Sequence, residues 1–157
     1  MESKVHGIEI FRNSNTRPDA GAIACGIRMG LVYPSIVCEY AEWLMNDQDG
    51  EGCSDELVEM LIFKGGDKEA LRCLEEHGFR ESDNSARYLR YVLLSNLQSA
   101  GHELLEEIEG IYATFDYPED MEPCIYYMSS GEDEGSEESV LSRFDNFMIG
   151  EKNTLDI

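Results

Sequence analysis

Apolar positions recur along most of this chain at the spacing of one helix face, and the recurrence breaks at glycine, proline and polar clusters. The cleanest case opens at Pro34-Ser35. Ile36, Val37, Tyr40, Ala41, Leu44 and Met45 fall at i, i+1, i+4, i+5, i+8 and i+9, with Glu39 and Glu42 on the opposite side. Before it, Val5, Ile8, Ile10 and Phe11 suggest a short strand or an irregular arm over residues 1–15. Pro18 and Asp19 suit the first turn of a helix running to about Met29, with Ala22, Ile23, Ile27 and Leu31 inward. Gly21, Gly26 and Gly30 weaken that helix and allow close packing against another.

After the loop Asp47–Gly52, Ser54 reads as the N-cap of a helix over Asp55–Lys64. Leu57, Val58, Met60, Leu61 and Ile62 predict burial of that helix on more than one side. Gly65 and Gly66 end it, Asp67 caps the next, and Glu69–His77 stops at Gly78 in the C′ position. A further helix begins near Asp83 and carries Tyr88, Leu89, Tyr91, Val92, Leu93, Leu94 and Leu97. The most regular stripe is Leu104, Leu105, Ile108, Ile111 and Tyr112, with Glu103, Glu106, Glu107 and Glu109 off it. It stops at Asp116-Tyr117-Pro118, because the residue before proline disfavours helical geometry. Ile125–Met128 reads as short and extended, and Ser129–Glu138 as a solvated loop. A last helix aligns Val140, Leu141, Phe144, Phe147 and Met148, leaving 150–157 as a loose tail. The pattern predicts an all-α single domain spanning 1–157, with about six or seven stacked antiparallel helices.

Charge changes this picture more than composition does. There are 33 acidic residues against 12 basic ones, a net charge of −21. Between Tyr91 and Ser142 no lysine or arginine occurs, yet thirteen carboxylates do. Such a chain repels nucleic acid and anionic membranes, which need bases to replace counterions. Basic proteins are its natural partners, captured rapidly at low salt. Five cysteines, widely spaced and without a C-x-x-C pair, fit a reducing cytoplasm and small apolar roles. Neither a signal-peptide pattern nor an apolar run of membrane-span length is present, so a cytoplasmic protein is expected.

Candidate chemistry is thin. Asp47, Asp49, Glu51 and Gly52 match the start of a calcium loop, but its twelfth position, which needs a bidentate glutamate, is Val58. Glu132, Asp133, Glu134, Glu137 and Glu138 lie on a loop without the frame a cation site needs. His6, His77 and His102 share no ligand spacing, and no nucleophile or phosphate-binding motif occurs. No enzyme activity, cofactor or metal is expected. A metal-dependent hydrolase built on scattered carboxylates is the least favoured reading, and oligomeric state is not encoded legibly.

The most distinctive string is Glu109, Ile111, Tyr112, Ala113, Phe115, Asp116, Tyr117 and Pro118, followed by Tyr127-Met128. Here the chain resembles a bacterial family called domain of unknown function 2247, with Thr114 standing where an acid is expected and Tyr126 where a base is expected. That family is similar in size and acidity to immunity proteins of polymorphic toxin systems. The resemblance implies a cytoplasmic protein that neutralises a basic toxin domain, such as a nuclease, by occlusion. Aromatic and acidic residues of this string suit such contact. The expected partner-binding residues are Glu106, Glu109, Tyr112, Asp116, Tyr117, Glu119 and Asp120. The rival reading is a general acidic interaction module or nucleic-acid mimic.

Overall fold

The computed structural model describes residues 5–47, 55–125 and 137–157. The chain is all-α: the described residues form eight α-helices and one 3-10 helix. They divide into two compact units, Met1–Leu89 and Arg90–Ile157, and the division falls inside one helix, Ser85–Ser95.

The first unit contains α1 (Glu9–Asn13), α2 (Ala20–Arg28), α3 (Ile36–Asp47), α4 (Asp55–Leu61), α5 (Asp67–Glu76) and the start of α6 (Ser85–Ser95). The expected irregular arm is corrected: from His6 onward it is tied down. The His6 N–H donates to Leu31 O at 2.9 Å and the Tyr33 N–H to His6 O at 3.0 Å, an isolated parallel bridge. α1 then buries Ile10 and Phe11, two large apolar side chains whose burial holds so short a helix in place.

Asp19 sits just outside α2 as its N-cap, its Oδ2 accepting from the Ala22 N–H at 2.9 Å. Gly26 lies so close to Val32 that an added Cβ would meet its methyls at 3.0 and 3.2 Å. Gly30, at φ +74°, ends α2: its N–H reaches Ile27 O and the Leu31 N–H reaches Gly26 O. Gly78 closes α5 the same way, with Phe79 N–H bonding Leu74 O at 2.9 Å.

α3 packs against α4 and α2 against α5. α4 departs from expectation twice. It ends at Leu61 rather than Lys64, and only its Leu57–Met60 side is buried, because Val58 and Ile62 face solvent. At α5, Gly66 rather than Asp67 is the N-cap; its N–H donates to Glu69 Oε2 at 3.1 Å, and Asp67 is already helical. The calcium-like loop and Ser54 lie outside the described residues.

The second unit continues α6 into α7 (Gly101–Thr114), the 3-10 helix Glu119–Cys124 and α8 (Glu137–Leu155). Leu94, Leu105, Ile108, Tyr112, Met121, Cys124, Ile125, Val140 and Phe144 form its core. α8 packs on both α7 and the 3-10 helix. Ile125 is extended, while Tyr126–Met128 and 129–136 fall outside the described residues. Helical structure continues to Leu155, so the loose tail from Gly150 is corrected. The stripe Val140, Phe144, Phe147 and Met148 runs one turn further to Glu151, which is buried.

Candidate functional site

The site is built on the end of α7 and the turn that follows. Leu105, Ile108 and Tyr112 turn inward, so Glu103 and Glu106 stand on the solvent side, with Glu107 and Glu109 half-buried at its edge. The helix ends in the same hydrogen-bond pattern as α2 and α5. Asp116 N–H reaches Ala113 O at 3.1 Å, and Tyr117 N–H reaches Tyr112 O at 2.9 Å. Here, however, the left-handed C′ residue is Asp116 (φ +63°), not glycine, and Tyr117 is left-handed as well (φ +57°). A bulky residue rarely adopts this conformation, and surrounding structure must hold it there. The double reversal stands the exposed Tyr117 ring edge-on to buried Tyr112, centroids 5.3 Å apart.

Beyond Pro118 the 3-10 helix carries Glu119, Asp120 and Glu122 outward and Met121 and Cys124 inward. Beneath it lies an ionic triad with two buried members. Arg90 Nη1 and Nη2 donate to Asp120 Oδ1 and Oδ2 at 2.8 and 2.7 Å, and Nη2 also donates to Glu151 Oε2 at 3.0 Å. The side chains of Arg90 and Glu151 are 6% and 3% exposed, that of Asp120 46%. Phe147 lies 5.1 Å from the guanidinium carbon. Burial opposes the Arg90 charge, but the hydrogen bonds and charges of Asp120 and Glu151 outweigh it and leave its pKa above the ordinary arginine value. Arg143 approaches the same segment, its Nε donating to Pro123 O at 2.7 Å.

The expected contact residues separate into groups. Glu106, Asp116, Tyr117 and Glu119 are exposed, and Glu109 is half-buried. Tyr112 is 4% exposed, so its ring supports Tyr117 from the core and offers no surface of its own. Asp120 is engaged by Arg90 and presents only its outer side. His102 stands between Glu106 and Glu137, its Nε2 and Nδ1 each 3.2 Å from a carboxylate oxygen. Glu103, Glu109, Asp116, Glu119 and Glu122 join no ion pair among the described residues.

Arg90 and Glu151 are the residues that sequence reasoning missed. Both carried a signal: each is a charge set on an apolar stripe, Arg90 between Leu89 and Tyr91, Glu151 one turn past Phe147. Among the described residues no group of three or more histidine, cysteine or acidic side chains is arranged to hold a metal ion. Burial pushes Cys25 up to about 11 and Cys124 up to about 12, so neither is a ready nucleophile at neutral pH. No described helix is long and apolar enough to cross a membrane. The arrangement sets exposed carboxylates and one exposed aromatic ring above a segment gripped through Asp120.

Comparison with known proteins gives one match. The model of a family described as an uncharacterized protein conserved in bacteria, domain of unknown function 2247, matches residues 8–152, and the chain belongs to that family. No curated protein and no solved structure matches it.

Proposed function

Starting from that bacterial family, we propose that the chain is a cytoplasmic immunity protein that binds a cognate basic toxin domain and blocks it by stoichiometric occlusion, without catalysis. One observation carries the reading. Glu109, Asp116, Glu119 and Glu122, unpaired among the described residues, flank the exposed Tyr117 along the chain. Like charges left this close together oppose folding, and a cationic partner relieves that cost. Steering by the rim acids accelerates encounter, while burial of the tyrosine slows release. Nuclease domains suit the partner's role, because enzymes acting on polyanions carry basic surfaces.

The test is rescue. Expressing this chain protects cells from the C-terminal domain encoded by the neighbouring gene, and purified proteins bind one to one with an on-rate that drops steeply from 50 to 500 mM salt. Failure of rescue together with absence of binding refutes the proposal. Binding to many unrelated basic proteins at similar affinity favours a general acidic module instead.

A further inference from the structure

An ion pair with two buried members is not by itself a source of stability. Charged side chains are seldom buried, and two carboxylates here share one guanidinium. Well-packed apolar side chains of similar volume often serve a fold as well as a buried ion pair does. The Arg90 Nε is buried and has no hydrogen-bond partner among the described residues, so the guanidinium is oriented by its forked grip on Asp120 rather than by satisfying all its own donors.

What the fork supplies is direction. The segment it holds has little means of fixing itself: two consecutive left-handed residues, a short 3-10 helix with Pro123 inside it, and three outward carboxylates that repel one another. Outside the 3-10 helix's own bonds, its backbone is tied at its two ends: Asp116 N–H to Ala113 O and Tyr117 N–H to Tyr112 O on entry, Met121 N–H to Pro118 O at 3.1 Å, and Ile125 N–H to Glu122 O at 3.1 Å on exit. Below, Met121 and Cys124 anchor the inner side of the segment in the core, and the fork adds a directional grip through Asp120 on its outer side.

We infer that Arg90 is a positioning residue of the acidic docking surface. With Glu151 as its buried anchor it holds Asp120, and through Asp120 the orientation of Asp116–Glu122, for a cationic protein partner. This rests on the immunity reading above.

The test uses the full chain with two variants, Arg90→Lys, which keeps the charge and loses the fork, and the double variant Arg90→Met with Glu151→Met, which leaves no buried charge unpaired. Partner-free amide hydrogen exchange is measured at Tyr117, Met121 and Ile125, with Leu105 and Ile108 of α7 as internal controls. Binding kinetics are measured against the C-terminal domain encoded by the neighbouring gene. In both variants exchange at the three turn amides accelerates at least tenfold with α7 unchanged, and dissociation from the partner accelerates at least tenfold at an unchanged association rate. Turn exchange that rises no more than in α7, or wild-type dissociation from either folded variant, overturns the role. A variant that unfolds is set aside for the other; if both unfold, Arg90 is structural and the proposal fails. A wild-type chain that does not bind the neighbouring domain instead overturns the immunity reading and the docking half of this inference, while exchange still reports whether Arg90 orders the turn.

Discussion

Replacing Asp116 by glycine should stabilise this protein and, under the proposed function, weaken capture of the partner. The residue sits at the C′ position of α7 with φ +63°, in the hydrogen-bond pattern that Gly30 and Gly78 complete at φ +74° and +82°. Left-handed backbone costs an L-residue roughly 1–2 kcal/mol, with aspartate at the lower end because its short side chain tolerates the region. A carboxylate at a helix C-terminus adds about 0.3–1 kcal/mol of unfavourable interaction with the macrodipole. Glycine gives back roughly 0.5–1 kcal/mol through the freedom it adds to the unfolded chain. The net gain is about 1 kcal/mol, a rise of roughly 2–4 °C in melting temperature for a chain of this size. Asp116 forms no ion pair or side-chain hydrogen bond among the described residues that the change would sacrifice. Calorimetry and urea midpoints of wild type, Asp116→Gly and Asp116→Ala separate the two gains, since alanine removes the charge and keeps the backbone cost. A glycine variant that melts no higher than the alanine variant refutes the backbone argument.

Other outcomes follow from the same geometry. Gly21→Ala should destabilise by about 1–3 kcal/mol in chemical denaturation despite its better helix propensity, because the new Cβ overlaps Ser85 Oγ and lies 3.1 Å from Arg80 O. An unchanged midpoint would show that α2 can shift. Cys25 and Cys124, raised to about 11 and 12, should resist iodoacetamide at pH 8 in the folded chain and react fully in urea, as read by mass spectrometry. Arg28 donates to Glu81 at 3.0 Å through both Nε and Nη2 and lowers the Glu81 pKa, so the pair's stabilisation is present above the unfolded glutamate value and lost as pH falls through the folded one. Exposure keeps its worth under about 1 kcal/mol, and the melting difference between wild type and Glu81→Gln should vanish in that acidic window.

Much of the fold was legible because helices announce themselves through period. The stripes of α3 and α7 and the glycine stop at Gly78 are local facts, fixed by residues a turn apart. What escaped depended on contacts distant in sequence. The arm at His6 is held by Leu31 and Tyr33, and α4 shows solvent a flank that its composition marked for burial. Glu151 escaped for a different reason. Its position continues the α8 stripe, but it falls in the expected loose tail from Gly150, where a charged side chain gives no sign of a paired burial.

The base-free stretch shows how counting charge along the chain misleads. Arg90 and Arg143 are the bases that bound it, and both fold back onto its centre, Arg90 onto Asp120 and Arg143 onto the Pro123 carbonyl. The stretch is therefore not uniformly repulsive. Its middle is clamped from below by bases that lie outside it in sequence, while Glu109, Asp116, Glu119 and Glu122 stay unpaired among the described residues. Under the proposed function, ordering already spent on this floor in folding need not be spent again on association, and a flexible acidic loop of equal charge would attract the proposed partner as quickly and release it sooner.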